Sequence, residues 1–239
     1  MTPVKLNALF FGTHPDDVEL TCSGTLAKLK MEGMSVGIAD LTRGELSTRG
    51  NLTVRKMETD KATKILNLDF RTNLQLEDGN IVNNVTNRRR VIKLLRLTKP
   101  ELVFAPYPLD RHPDHINASN LIRESVFYSG LRKIVTAKLG VFRPRKVIYY
   151  SHAYDIPVTF IFDISDTFDI KMKSVEAFES QFFNLKKSNG PETFISRKDF
   201  REYVLSKAKY YGFKIGVEYG EPFFTYEPVK VEAGYISHI

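Results

Sequence analysis

The sequence predicts an α/β protein with a Rossmann-like, doubly wound and mostly parallel sheet in the strand order 3-2-1-4-5, followed by C-terminal additions. Apolar runs alternate with segments of helical spacing, glycine or proline bounds several of these segments, and 239 residues suffice for one large core. Strands separated by helices imply parallel pairing with right-handed crossovers. We therefore expect a single domain over 1–239, with a core over 4–150 and a C-terminal extension over 151–239 that covers the sheet and the pocket.

The elements of the first half alternate regularly. The apolar run 6–11 ends at Gly12 and predicts a buried strand, while Pro15 suits the first turn of a helix over 16–32 and Gly33 suits its end. The elements predicted next are a strand over 36–41, a helix over 54–66, a strand over 73–76, a helix from 84 that ends before Pro100, a strand over 102–105 and a helix that ends at 125.

The second half of the chain is less regular. Segments 146–151 and 159–164 are rich in Val, Ile, Phe and Tyr and predict strands. Helical spacing follows over 168–183, a polar loop is expected over 186–192, and a last helix over 200–211 should end at Gly212.

Composition and charge exclude several classes of protein. The formal net charge is +7, and the densest basic run is the three arginines at 88–90, which suit a solvated helix face. No zinc-finger spacing or aromatic RNA-binding motif supports a nucleic-acid partner. No apolar stretch is long enough to predict a membrane span or a membrane partner. The single cysteine, Cys22, forms no internal disulfide and is expected to be a small buried residue in a cytoplasmic protein.

Two tetrapeptides, His-Pro-Asp-Asp at 14–17 and His-Pro-Asp-His at 112–115, carry the strongest chemical signal and hold three of the five histidines. Each follows a predicted strand, and in the order 3-2-1-4-5 these two strands are neighbours with their carboxyl ends at one crevice. His14, Asp17 and His115 would supply two nitrogens and one oxygen to a divalent metal and leave a coordination position open, as in hydrolytic zinc sites. The same donor set suits ferrous iron.

The remaining polar residues of the two motifs are candidates for proton transfer. Asp16 adjoins the proposed ligand Asp17 and is the candidate general base, while His112 would stabilise an oxyanion or protonate a leaving amine as an imidazolium. Asp114 would hold the other N–H of that imidazole and keep it charged. Taken singly, Pro-Asp-Asp is also good helix-capping chemistry without any metal, so the prediction depends on the two motifs meeting.

With these motifs the chain resembles the LmbE/PIG-L family of zinc-dependent N-deacetylases. It is most similar to the branch of bacillithiol biosynthesis that hydrolyses N-acetylglucosaminyl-malate. The segments 40–50 (DLTRGELSTRG), 106–111 (PYPLDR) and 215–221 (IGVEYGE) resemble that branch outside the two motifs, so the resemblance covers about residues 5–224. Glu218, where the branch often has lysine, and Pro222, where glycine is common, depart from its pattern.

The resemblance implies Zn²⁺ as the cofactor, an anionic amino-sugar conjugate as the substrate and a homo-oligomer, for which a hexamer is one candidate. It assigns the metal ligands to His14, Asp17 and His115, the base to Asp16 and the charged histidine with its carboxylate partner to His112 and Asp114. It also places Arg55 and Arg111 in the pocket.

The residues themselves agree on a pocket for an acid, because arginine recognises carboxylates through two parallel hydrogen bonds. Arg43, Arg49, Arg55 and Arg111 lie in or near loops at the active edge, with Arg111 and Arg55 the best candidates, and Tyr107 is expected either to contact the sugar or to pack the loop. His152, Asp110 and Asp40 are expected to be structural, although His152 ends a predicted strand and could approach the site.

Several alternatives remain open. The substrate could be another N-acetylglucosamine derivative or a mycothiol-type amide. A non-catalytic nucleotide-binding Rossmann module is disfavoured because the first turn lacks G-x-G-x-x-G and its carboxylates would repel a pyrophosphate. A phosphoesterase usually needs two metals, and the motifs supply ligands for one.

Overall fold

A five-stranded parallel sheet forms the centre of the protein in the computed structural model, which describes residues 4–136, 139–182 and 191–230. In chain order its strands are β1 (Ala8–Gly12), β2 (Val36–Asp40), β3 (Phe70–Asn73), β4 (Leu102–Pro106) and β5 (Lys146–Tyr150). They lie in the order β3-β2-β1-β4-β5, and every neighbouring pair is parallel. The fold class and the strand order predicted from the sequence are therefore confirmed.

Helices connect these strands and continue beyond them. Within the described residues the α-helices are α1 (Asp17–Met31), α2 (Leu52–Ile65), α3 (Val85–Thr98), α4 (Pro113–Ser129), α5 (Phe168–Glu176) and α6 (Phe200–Lys214). Two of their first turns are fixed by asparagine caps, because the side chains of Asn51 and Asn84 accept hydrogen bonds from the amides of Val54 and Asn87.

The sheet has a hydrophobic core on each face. Side chains of a strand point alternately to the two faces, so Leu9 and Phe11 of β1 join one cluster while Ala8 and Phe10 join the other. Phe10 stacks on Phe104 of the neighbouring strand with 4.1 Å between ring centroids. Burial on both faces explains why β1 is an uninterrupted apolar run.

The C-terminal part adds an antiparallel pair, β6 (Phe160–Asp163) and β7 (Gly220–Phe223), together with α5 and α6. Glu221 fastens β7 to α1: its carboxylate accepts from the backbone amides of Gly24 and Thr25 and lies 2.6 Å from the Nζ atom of Lys171. These elements cover one side of the crevice at the ends of β1 and β4 and supply a wall of the cavity described below.

Two elements differ from their predictions. Strand β3 lies at Phe70–Asn73 and not at 73–76. The largely buried side chain of Arg71 is neutralised there by ion pairs with Asp40 and Glu19. Because a charged residue takes this position, the segment lacks the apolar pattern by which a strand is predicted. Helix α5 ends at Glu176, since the later apolar residues of the predicted helix, among them Phe178 and Phe182, join the same core cluster from turns. Position 183 and most of the predicted loop, 186–190, lie outside the described residues.

Gly212 does not end the last helix as predicted. Helix α6 runs on to Lys214, and a Cβ at Gly212 would lie 2.7 Å from the backbone carbonyl carbon of Glu218, so this glycine permits a close approach of the chain. Strand β7 was not predicted, because its Gly and Pro are both unfavourable in strands. No helix in the described part of the chain is long and apolar enough to cross a membrane.

Candidate metal centre and active site

The two histidine motifs meet at the carboxyl ends of β1 and β4. His14 lies two residues beyond β1, and His112 is the N-cap of α4. The imidazole centroids of His14 and His112 are 4.9 Å apart, and those of His112 and His115 are 4.8 Å apart. The convergence predicted from the strand order therefore occurs in the structure.

The three residues predicted to bind a metal form a compact group. The ligand atoms of His14, Asp17 and His115 lie within 4.8 Å of one another. One oxygen of Asp17, Oδ2, is 3.6 Å from Nδ1 of His14 and 3.5 Å from Nε2 of His115, and it also accepts the backbone N–H of His14 at 2.8 Å. That backbone hydrogen bond fixes the carboxylate at the first turn of α1.

The group fits a divalent metal by its chemistry. All three side chains are largely buried, and Nε2 of His115 faces Oδ2 of Asp17 at 3.5 Å, which is longer than a good hydrogen bond. A largely buried ring nitrogen without a close partner is unfavourable, whereas two imidazoles and one carboxylate beside a cavity are suitable ligands for zinc or ferrous iron. His14, Asp17 and His115 would hold the ion.

Asp78 orients the first of these histidines, and sequence reasoning missed it. Its Oδ1 atom lies 3.0 Å from Nε2 of His14, which leaves Nδ1 on the side of Asp17. Burial would lower the pKa of His14, but the hydrogen bonds with Asp17 and Asp78 outweigh it and raise the pKa to about 10 in the metal-free protein. A carboxylate behind a metal-binding imidazole fixes its tautomer and strengthens it as a ligand.

Asp16 occupies the N-cap of α1 in a left-handed conformation, with φ of 118°. Its Oδ2 accepts from the guanidinium of Arg55 at 2.7 Å, and the pair is buried. Burial raises the pKa of Asp16 to about 6, although the charge of Arg55 lowers it. An uncommon backbone conformation and a pKa near neutrality are both features of catalytic carboxylates.

His112 and Asp114 do not form the pair expected from the sequence. The carboxylate of Asp114 instead accepts from the backbone amides of Gly79 and Ile81 at 2.7 and 3.3 Å. Nδ1 of His112 accepts from the backbone N–H of Asp114 at 3.2 Å, as a helix cap. Burial and the neighbouring His14 and His115 lower the pKa of His112, which favours the neutral ring over the imidazolium expected from the sequence.

Two residues expected to be structural lie in the site. Asp110 places Oδ1 3.1 Å from Nδ1 of His115, and it also accepts from the backbone N–H of His112. His152, two residues after β5, packs its ring 4.0 Å from that of His115 and places Nε2 3.2 Å from Oδ1 of Asp17. The position of His152 at the end of the strand beside β4 was the signal that could have identified it.

We expect His152→Ala to weaken metal binding by roughly 10- to 100-fold, as is common for groups that contact a ligand from behind. The imidazole contacts both Asp17 and His115, so its removal frees two of the three side chains that would hold the ion. Chelator competition on purified protein measures the affinity. Tyr154→Ala is the matched control because Tyr154 is half-exposed and outside the cavity, and equal affinities in the two variants would show that His152 only packs.

Only two of the four residues predicted to bind substrate line the cavity. Arg111 lines the cavity, with its guanidinium 4.5 Å from the ring centroid of Phe194. Arg55 also lines it but is engaged by Asp16 and by the hydroxyl of Ser47. Arg43 and Tyr107 are not among its lining residues.

The two side chains outside the cavity have other contacts. Arg43 is largely exposed and lies 3.8 Å from a carboxylate oxygen of Glu45. Tyr107 packs edge-on against Tyr149 and Phe224, so of the two roles considered for it, the structure shows packing.

One cavity of about 440 Å³ opens onto the two histidine motifs and Arg111, a size typical of small-ligand sites. Its floor contains the His14, Asp17 and His115 group together with Asp16 and His112, and its far wall comes from the C-terminal part. Buried histidines and carboxylates at the switch point of a parallel sheet, beside a carboxylate whose pKa is raised, are typical of a metal-dependent hydrolase.

Comparisons with known proteins give the family. The PIG-L model, described as GlcNAc-PI de-N-acetylase, matches residues 9–126. A diacetylchitobiose deacetylase from Thermococcus kodakarensis is 30% identical over 223 residues, which cover 87% of this chain and 78% of the relative. The chain belongs to the PIG-L family of de-N-acetylases, and it is an amide hydrolase that removes acetyl groups from N-acetylglucosamine-type derivatives.

Solved structures agree with this fold along nearly the whole chain. The conserved protein TT1542 from Thermus thermophilus is 38% identical with a TM-score of 0.86, covering 95% of this chain and 98% of the other. The N,N'-diacetylchitobiose deacetylase from Pyrococcus horikoshii, solved with an inhibitor, is 27% identical with a TM-score of 0.79. The match covers 91% of this chain and 82% of that protein.

Proposed function

We propose that the enzyme is a zinc-dependent N-deacetylase of N-acetylglucosaminyl-malate, in bacillithiol biosynthesis, with ferrous iron as the alternative metal. The observation that carries this proposal is the cavity itself. It joins the His14, Asp17 and His115 group and Asp16 on its floor to Arg111 in its wall. A malate aglycone brings two carboxylates to a guanidinium that makes no ion pair with the described residues.

Hydrolysis adds water across the acetamide C–N bond and yields acetate and a free amine. A bound metal ion would polarise the acetamide carbonyl and lower the pKa of water. Asp16 accepts the proton of the attacking water, and Arg55 keeps its carboxylate in place through the 2.7 Å ion pair.

His112 stabilises the oxyanion from the side of the reacting carbon opposite Asp16. Because Nδ1 of His112 accepts from the backbone amide of Asp114, the proton resides on Nε2, which donates to the developing oxyanion. The leaving amine takes up the proton that Asp16 received, so the enzyme returns to its starting protonation state. Asp114 contributes by holding the turn that contains Gly79 and Ile81.

Diacetylchitobiose is the second candidate substrate, because the relative from Thermococcus kodakarensis is described as a deacetylase of this neutral sugar. It would place a second sugar ring, and no carboxylate, against the wall that contains Arg111. The two candidates share the chemistry on the floor of the cavity and differ in what the wall must recognise.

We expect metal removal to abolish release of free amine from N-acetylglucosaminyl-malate, and Zn²⁺ to restore it. The assay compares this conjugate with diacetylchitobiose and N-acetylglucosamine, before and after treatment with a chelator, with Zn²⁺ or Fe²⁺ added back. Turnover that survives complete loss of metal would refute the metal-dependent mechanism. A preference for diacetylchitobiose would leave that mechanism intact and replace the malate conjugate by the second candidate.

A further inference from the structure

A second cation lies in the cavity wall, on helix α6. Lys207 lines the cavity, and its Nζ donates to the hydroxyl of Ser151 and to the carbonyl oxygen of His152, each at 3.2 Å. An ammonium group has three donors, and these two contacts use two of them. No carboxylate of the described residues lies within 4.0 Å of Lys207, and Asp110 and Asp155 act on it only from farther away.

The neighbouring Lys171 shows how another buried ammonium group is paired within the protein. Lys171 lines the same cavity, and it forms a 2.6 Å ion pair with Glu221 and donates to the carbonyl of Leu20. Burial of an unpaired charge is costly, so a lysine left without a counter-charge is a candidate for binding one from a ligand. Burial, followed by the charge of Lys171, lowers the pKa of Lys207 to about 8.

Two aromatic side chains lie between Lys207 and Arg111 along the cavity lining. The guanidinium of Arg111 lies over Phe194, and Phe194 contacts Tyr203 edge-on with 6.3 Å between ring centroids. Tyr203 and Lys207 are one turn apart on α6, and side chains at this spacing share a face of a helix. These four residues, which all line the cavity, form what we call the cationic wall.

We propose that Lys207 is a specificity residue that binds a carboxylate of the substrate's aglycone, at the opposite end of the cationic wall from Arg111. This inference deepens the proposed function and rests on it for the identity of the aglycone. Two cations at separate points of one wall suit a ligand with two carboxylates, whereas a neutral disaccharide would leave both charges uncompensated.

The test is the ratio of kcat/KM for N-acetylglucosaminyl-malate to kcat/KM for diacetylchitobiose. We expect Lys207→Met to lower this ratio by roughly 10- to 100-fold, mainly through KM for the conjugate, the loss expected for one charge-assisted hydrogen bond. Lys207→Arg should restore most of the ratio. Lys209→Met, at an exposed position of the same helix, is the matched control and should leave the ratio unchanged.

An unchanged ratio in a folded Lys207→Met protein would overturn the inference, whether both substrates slow equally or neither does. Thermal melting identifies a variant that fails to fold, and Lys207→Arg then decides the matter by its KM for the conjugate.

Free malate separates this inference from the proposed function. If the wild-type enzyme prefers diacetylchitobiose, the malate conjugate is the wrong substrate, and malate is then tested as an inhibitor of diacetylchitobiose hydrolysis. A higher inhibition constant in Lys207→Met would support the carboxylate subsite. An equal constant, or no inhibition of the wild-type enzyme, would overturn it.

Discussion

Asp16→Asn should lower kcat by about 10²- to 10⁴-fold, the usual contribution of a general base, while the protein keeps its metal. An amide has nearly the same shape as the carboxylate but cannot accept the proton of the attacking water. Asparagine also tolerates the left-handed conformation of this N-cap better than most residues, so the start of α1 should be retained. The measurement is steady-state turnover together with the metal content of the same preparation.

The control for this variant is Asp60→Asn, an exposed carboxylate on α2 that lies outside the cavity and contacts Lys56. It removes one negative charge without touching the site and should leave kcat unchanged. Near-normal turnover in Asp16→Asn would place the base elsewhere, and Asp78, beside His14, would be the next carboxylate to examine. Loss of metal together with turnover would instead show that Asp16 supports the ligand group.

The sequence was sufficient to predict how the two histidine motifs meet. The fully apolar β1 and β4, each followed by a motif and a helix, identify neighbouring strands of a doubly wound sheet, and the carboxyl ends of such strands share one crevice. The site residues in the two motifs therefore come together through topology, which simple alternation of strands and helices already specifies.

The rest of the site depends on contacts between distant parts of the chain, which leave no local pattern. Asp78 and His152 reach the ligand group from loops after β3 and β5. No motif marks either residue, and only the position of His152 at the end of a predicted strand pointed to the site. Asp114 illustrates the same limit. The sequence places it beside His112, but backbone amides 33 to 35 residues away compete for its carboxylate and bind it.

Polar burial contributed to the errors in two strands. Arg71 lies in β3 because Asp40 and Glu19 neutralise it, and Glu221 lies in β7 because Lys171 and the amides of α1 satisfy it. A pattern of apolar residues cannot identify a strand whose buried side chains are ionic. The C-terminal part, through β7 and α6, also lines the cavity beside Lys207. The region that was hardest to predict is therefore the one that we expect to select the substrate.

His115→Ala should cost more metal affinity than the roughly 10- to 100-fold expected for a residue behind the ligands, because it removes a ligand itself. Asn117→Ala is the matched control, two residues further along α4 and exposed. Metal content after exhaustive dialysis, followed by chelator competition, measures the effect for Zn²⁺ and Fe²⁺ separately.

The same experiment distinguishes the proposed ligand set from one that excludes His115. The structure also brings ligand atoms of His14, His112 and Asp114 within 4.8 Å of one another. If these three held the ion, His115→Ala would retain its metal and His112→Ala would lose it. We expect the reverse, because the carboxylate of Asp114 is already engaged by two backbone amides, whereas Oδ2 of Asp17 lies between the nitrogens of His14 and His115 at 3.6 and 3.5 Å. In His112→Ala the metal should therefore remain bound while turnover falls, since that ring supplies a hydrogen bond to the reaction and not a ligand.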